Sequence, residues 1–272
     1  MAQRLNFKGM TAVITGAASG IGEALAAALA ARGANLALAD INAEGVEAVA
    51  ARLRSNEIRV TAQRLDVADP AAPGEFAAFV KAEHGGAGLV FNNAGVAVGG
   101  EFDRVAEADF DRVIDVNFNG VVRMSRAFLP LLKAEPAAQL VNISSIFGVI
   151  APAGQTAYSA SKFAVRGFSM ALAHELAGSN VEVSVVHPGG VNTKIAESAK
   201  TPEDATPEEI EQARAAAKAA LVMPPPRAAE IILKGVERRR RRIFVGSDAH
   251  IAAQIERVFP VRYFKILSRR LG

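Results

Sequence analysis

Along the chain, short continuous apolar runs alternate with longer stretches in which apolar residues recur three or four positions apart. The runs fall at Thr11–Thr15, Asn35–Asp40, Arg59–Leu65, Gly88–Asn92, Gln139–Ile143, Glu182–His187 and Arg242–Val245. An apolar run of this length bounded by turn residues suits a strand covered on both faces. Between the runs lie Ala- and Leu-rich stretches such as Ile21–Arg32 and Ala43–Ser55, which keep polar residues to one side as a surface helix does. Six or seven strands separated by helices imply right-handed crossovers. The expected architecture is therefore α/β: a doubly wound parallel sheet of about seven strands, with helices on both faces and an extra C-terminal helical segment.

Two stretches break the rhythm. Residues 190–226 open with Gly-Gly-Val-Asn-Thr, pass a Pro- and Glu-rich helix start at Thr206–Glu209 and end at Pro224-Pro225-Pro226. So long an excursion between strands predicts a substrate lid, because long connections in compact domains are usually functional or disordered. The second is the segment 247–272. Neither contains a repeat or a low-complexity linker, and 272 residues can share one large core, so residues 1–272 are expected to form a single domain.

Composition narrows the chemistry. With no cysteine in the chain, disulfides, thiolate catalysis and thiolate-ligated zinc are excluded. The four histidines, His84, His174, His187 and His250, lack metal-ligand spacing and read as packing or surface residues, so no metal site is expected. The net charge of +3 hides an asymmetry: residues 238–272 hold ten Lys or Arg against Asp248 and Glu256. The excess belongs to one end of the chain, so nucleic-acid binding is not expected of the molecule as a whole. No run approaches the roughly 18 apolar residues needed to cross a bilayer, and no signal-like segment opens the sequence. A cytoplasmic protein is expected.

Candidate chemistry begins at Thr15-Gly16-Ala17-Ala18-Ser19-Gly20-Ile21-Gly22, which follows a strand and opens a helix. A pyrophosphate can rest there against a helix N-terminus and bare backbone N–H groups, as in Rossmann-type sheets. Asp40 ends the second strand, where a carboxylate can accept hydrogen bonds from adenosine ribose hydroxyls and repel a 2′-phosphate. No Arg or Lys occurs in the glycine turn or at Ile41 and Asn42, which favours NAD over NADP. Helix capping is the plainer role for Asp40.

The glycine spacing, Asp66-Val67 after the third strand, Asn92-Asn93-Ala94-Gly95 after the fourth and Tyr158-x3-Lys162 together resemble the short-chain dehydrogenase/reductase family over about residues 8–195 and the strand Arg242–Val245. The resemblance implies that Gly16, Ser19, Gly20, Ile21 and Gly22 cradle the cofactor pyrophosphate. It further implies that Asp66 and Val67 flank the adenine and that Asn93, Ala94 and Gly95 line the groove. Pro188, Gly189, Val191 and Thr193 would hold the nicotinamide end.

Tyr158 and Lys162 are four apart on a helix predicted over Thr156–Ala177, so they share one face. A neighbouring ammonium favours a phenolate, and the spacing predicts a tyrosine able to exchange a proton near neutral pH. Alternation at the strand end lets only one of Ser144 and Ser145 face the site, and the family spacing selects Ser145, which would hydrogen-bond the substrate oxygen. Asn117 resembles the family residue that holds a water in a proton relay through Lys162; Asn119 lies close enough in sequence to be confused with it. Lys162 is also expected on the nicotinamide ribose. The implied reaction is hydride transfer between NAD(H) and a secondary alcohol or ketone. A cousin with Tyr-x6-Lys would reduce enoyl thioesters, and one with G-x2-G-x2-G would epimerise; neither pattern is present. A non-catalytic NAD-binding or membrane-surface protein is the alternative from a different class.

The apolar segment Ile146–Ala153, with Val96, Ala97 and Val98, suits a hydrophobic substrate, with core packing or a subunit contact as the plainer reading. Ile251, Ile255, Val258 and Phe259 recur at helical spacing before Pro260, followed by Phe264, Leu267 and Leu271 among basic residues, so 247–272 reads as a basic amphipathic extension. Docking over the substrate pocket or a sister subunit, peripheral membrane contact and nucleic-acid contact are its competing readings. A homodimer or homotetramer is expected.

Overall fold

The computed structural model describes residues 4–271, and it shows why the glycine turn and the catalytic candidates meet. The chain opens with β1 (Thr11–Thr15), α1 (Gly20–Ala30), β2 (Asn35–Asp40), α2 (Ala43–Leu53), β3 (Val60–Arg64), α3 (Ala72–His84) and β4 (Leu89–Asn92). It continues through α4 (Glu107–Ile114), a π turn at Asp115–Asn119, α5 (Gly120–Ala134), β5 (Ala138–Ile143), a 3-10 turn at Ile146–Gly148, α6 (Thr156–Glu175) and β6 (Val181–Pro188). Then come α7 (Lys194–Glu197), α8 (Pro207–Ala220), α9 (Pro225–Glu237), β7 (Arg242–Val245), α10 (Ser247–Val258) and α11 (Tyr263–Leu271). The predicted strands appear within a residue of their expected ends. The helix predicted to reach Ala177 stops at Glu175.

All seven strands pair in parallel, in the order β3-β2-β1-β4-β5-β6-β7. Alternation along each strand feeds two cores. On one face Ile14, Leu36, Leu38, Phe91, Val141 and Val186 meet Leu25 and Leu29 of α1, Val46 of α2 and Ile232 of α9. On the other, Val13, Val90, Leu140 and Val183 meet Phe76 and Val80 of α3, Met124 and Phe128 of α5 and Leu176 just after α6. Phe76 and Phe128 pack edge to face with centroids 5.7 Å apart. Truncating either would cost about 3–5 kcal/mol through the cavity left behind. The strand order reverses between β1 and β4, and the crevice beyond their carboxyl ends is where ligands bind in open α/β sheets.

The excursion 190–226 carries α7 and α8. Thr206 and Glu209 form a capping box, the side chain of each accepting the other's backbone N–H, which explains where α8 starts. No residue of α8 is buried. The helix is held at its ends instead. Arg104 forks onto Asp204 and Glu209, Lys200 pairs with Asp109, and Met223 exchanges backbone hydrogen bonds with Gly190 and Asn192.

The extension after β7 turns its small residues, not its large apolar ones, to the body. The alanines of α10, Ala249, Ala252 and Ala253, pack on Ile146 and Val149, while Ile251, Val258 and Phe259 face outward. Small side chains let the helix approach the loop closely. In α11, Leu267 joins this cluster and the Tyr263 hydroxyl accepts the Ala151 N–H at 3.0 Å. Among the described residues, no helix is long and apolar enough to cross a membrane.

Candidate active site

The glycine turn is shaped by what it must touch. Gly16 has φ +66, and a Cβ there would stand 2.9 Å from the Ala94 Cα, so only glycine lets the loop after β4 close against the loop after β1. Asn93 fastens the two loops, donating to the carbonyls of Thr15 and Gly16, while the Thr15 hydroxyl accepts the N–H groups of Asn93 and Ala94. Ser19 caps α1 in extended conformation without a side-chain hydrogen bond, which leaves the first N–H groups of the helix open toward the crevice. Thr193 lies against Gly20, bringing the start of the excursion beside the turn.

Asp40 accepts the Ala18 N–H at 3.0 Å and the Asn42 N–H at 2.9 Å, so its carboxylate orders the glycine turn and caps its own loop. Each oxygen retains a lone pair. In the β2–β3 register Asp40 stands opposite Arg64, a cation that sequence reading did not weigh. Asp66 closes a local turn by accepting the Ala68 N–H, and Val67 is buried against Gly120 at the end of the π turn.

Ser145, just past β5, is extended (φ −161°, ψ 168°), and its Oγ accepts the Phe147 N–H at 3.1 Å. Its hydroxyl also bonds Tyr158, favouring the phenolate, but loss of water around the phenol dominates and pushes Tyr158 above its usual value of 10. This reverses the direction expected from the Tyr-x3-Lys spacing. The physical reason is burial, which Lys162 shares. Burial lowers its ammonium to about 8, its Nζ donates to the Ile143 carbonyl at 3.1 Å, and it sits 5.5 Å from the Tyr158 ring centroid. The same burial that weakens the ammonium raises the phenol, and at Tyr158 the loss of water outweighs the opposing hydrogen bond. Ser144 faces elsewhere, donating to the Lys162 carbonyl.

Asn117 is fully buried in the π turn. Its Oδ1 accepts the Val96 N–H, and its Nδ2 donates to the Val96 carbonyl and to Ser161 Oγ, one residue from Lys162. Both amide hydrogens are committed, so any water beside it would have to use Oδ1 or a main-chain carbonyl of the widened turn. A Cβ on Gly95 would stand 3.2 Å from Asn117 Oδ1 and 3.4 Å from Lys162 Nζ, so the β4 loop runs directly over both groups. Asn119 points away, to Asp115. The apolar wall is divided: Phe147 meets Tyr158 edge to face at 6.1 Å, whereas Ile146 and Val149 are committed to α10.

Two residues support the site in ways that no sequence pattern announces: His187, expected as a packing or surface residue and found packed, and Asp248. His187, fully buried and stacked on Phe244, places Nδ1 2.9 Å from the Ser145 carbonyl, and burial lowers it to about 4, so it is neutral and donates that bond. Asp248, in the first turn of α10, accepts the Gly190 N–H at 2.7 Å and pins the turn after Pro188, while Val191 bridges to Met223. Their partners lie 42 and 58 residues away, and no local pattern announces either contact.

Comparison with known proteins agrees with this geometry. Residues 10–204 match the model of the short chain dehydrogenase family. SadH of Mycobacterium tuberculosis is 43% identical over 196 residues, 71% of each chain. Oxidoreductase UcpA of Escherichia coli is 39% identical over 191 residues, covering 70% of this chain and 72% of that one. A short chain dehydrogenase/reductase from Burkholderia phymatum, solved in complex with NAD, superposes with a TM-score of 0.86 at 30% identity, covering 93% of this chain and 95% of that one. Sequence, sheet order and crevice thus converge on one ancestry, and the chain belongs to the short chain dehydrogenase family of oxidoreductases.

Proposed function

We propose that the protein transfers a hydride between NAD(H), in preference to NADP, and a hydrophobic secondary alcohol or ketone. The observation that carries this reading is the convergence of Ser145, Tyr158 and Lys162 beneath the loop at Gly95. The crevice fits a dinucleotide: an uncapped helix N-terminus for the pyrophosphate, a carboxylate at the β2 end for the ribose, and loops with bare glycines at Gly16 and Gly95. Gly20, Ile21, Gly22, Ala94, Asp66 and Val67 complete the adenosine and pyrophosphate side; Pro188, Gly189, Val191 and Thr193 complete the nicotinamide side.

A bound nicotinamide supplies the hydride chemistry. The chain's own groups manage the oxygen of the substrate. Ser145 turns its one hydroxyl proton from Tyr158 to that oxygen, and Tyr158, held protonated by burial, gives its Oη proton to the ketone as hydride arrives; alcohol oxidation runs the same steps backwards from the phenolate. The Ile143 carbonyl occupies one of the three N–H groups of Lys162 and leaves two for ribose hydroxyls. Asn117 holds the β4 loop and α6 in register around this centre. Phe147 offers an apolar face beside Tyr158, which favours a hydrophobic substrate. The exposed stripe Phe163, Gly167 and Met170 on α6 supports self-association into a homo-oligomer.

The test is turnover with NAD and NADP, followed by nicotinamide absorbance, against secondary alcohols from short aliphatic to steroid-like. Tyr158→Phe is expected to lower kcat at least about 100-fold while NADH still binds; equal loss of both would remove its proton role. Asp40→Ala is expected to admit NADP, because it removes a repelling charge and leaves Arg64 nearby. An unchanged preference would sink the ribose assignment.

A further inference from the structure

Among the described residues, large apolar side chains on the outward face of α10 and in the turn into α11 stand about half or more in solvent. Ile251, Val258 and Phe259 lie 51%, 62% and 49% exposed, Val261 is 91% exposed and Phe264 47%. The helix has buried its alanines and left its large apolar residues in water, the reverse of the usual preference. Charge says what should cover them. After Glu256 the sequence carries Arg257, Arg262, Lys265, Arg269 and Arg270 and no acidic residue. Five consecutive arginines, Arg238–Arg242, precede the same segment.

A second copy meeting this face two-fold would set cations against cations. An anionic surface with an apolar interior answers both features. We propose that this corner docks on an anionic phospholipid bilayer, with Phe259 and Val261 entering the boundary of the acyl chains and Arg257 and Arg262 lying at the lipid phosphates. Tyr263 and Leu267 tie α11 to the loop 146–151, whose other side presents Phe147 to Tyr158. Docking there would bring the wall of the substrate site beside a reservoir of apolar molecules. That last consequence rests on the oxidoreductase reading; the docking itself does not.

The full chain is mixed with vesicles of phosphatidylcholine alone and of phosphatidylcholine with about one-third phosphatidylserine, and bound protein is measured by co-sedimentation. Binding to the anionic vesicles is expected to be at least about tenfold tighter than to the neutral ones, and to fall steeply at about 0.5 M salt. Phe259→Asp combined with Val261→Asp is expected to abolish it with the circular dichroism spectrum unchanged. Should the double variant lose structure, Val261→Asp alone decides, since that side chain is almost wholly in solvent. Absence of binding to anionic vesicles, or binding that survives Val261→Asp, overturns the proposal. So does light scattering showing an oligomer that Val261→Asp dissociates, which would assign the face to a second copy. All of these outcomes are read without any turnover.

Discussion

Lys162 is charged in water and 3% exposed here, with the Ile143 carbonyl and the Tyr158 ring beside its ammonium, so the fold bears a cost for keeping it. Burial takes it from 10.5 in the unfolded chain to about 8, a penalty on the charged form of about 3 kcal/mol. Below pH 8 both states hold the proton and the full penalty applies. Between about pH 8 and 10.5 the folded state gives up its proton first, so stability rises with pH across that window. Lys162→Met removes this slope. The difference between variant and wild type in urea unfolding is expected to favour Met below pH 8 and to shrink toward pH 10.5; a constant difference would contradict the buried-ammonium account. The spacing Tyr158-x3-Lys162 was legible because an α-helix turns i and i+4 to one side. Its electrostatic sign was not, since that depends on Ile143 and on the water excluded by the surrounding loops. His187 and Asp248 were illegible for a related reason: each acts on a backbone group brought near only by the finished sheet.

At the scale of elements, strands were read well because a parallel sheet covered on both faces imposes near-continuous apolar runs. β3 lies at the sheet edge and is a residue shorter at each end than its apolar run suggested. The start of α8 was visible in Thr206–Glu209, but its isolation was not, because a helix with an ordinary mixture of Ala and Glu gives no hint that it buries nothing. What holds it is the Arg104 fork to Asp204 and Glu209. Such pairs in solvent are individually weak, and here they bear on local rather than global order. Arg104→Ala is expected to speed proteolytic cleavage within 203–221 at least about threefold while the melting temperature moves by less than about 2 °C. Cleavage at the wild-type rate would mean that the backbone zipper of Met223 with Gly190 and Asn192 suffices. The orientation of α10 was also hidden: period alone marks an apolar stripe and does not say whether the stripe or the alanines will face the body.

Over the whole molecule, the two exposed apolar faces sit on different elements and call for different partners. The α6 stripe bears Phe163 and Met170, 38% and 44% exposed, with no cluster of one charge sign beside it, so a like surface can meet it. Met170→Glu is expected to lower the mass measured by light scattering to that of one chain; an unchanged oligomer would move the contact elsewhere. The family likeness and the doubly wound sheet could be read from ordered motifs alone, whereas neither face could, because exposure belongs to the folded shape. The grip of Asp248 on Gly190 joins the beginning of the excursion to the far side of β7. A ribosome delivers Asp248 more than two hundred residues after Gly22. Six strands and the glycine turn can assemble on the nascent chain before the turn after Pro188 receives its anchor. Synthesis itself therefore sets the order in which the crevice is finished: the glycine turn first, the turn after Pro188 last.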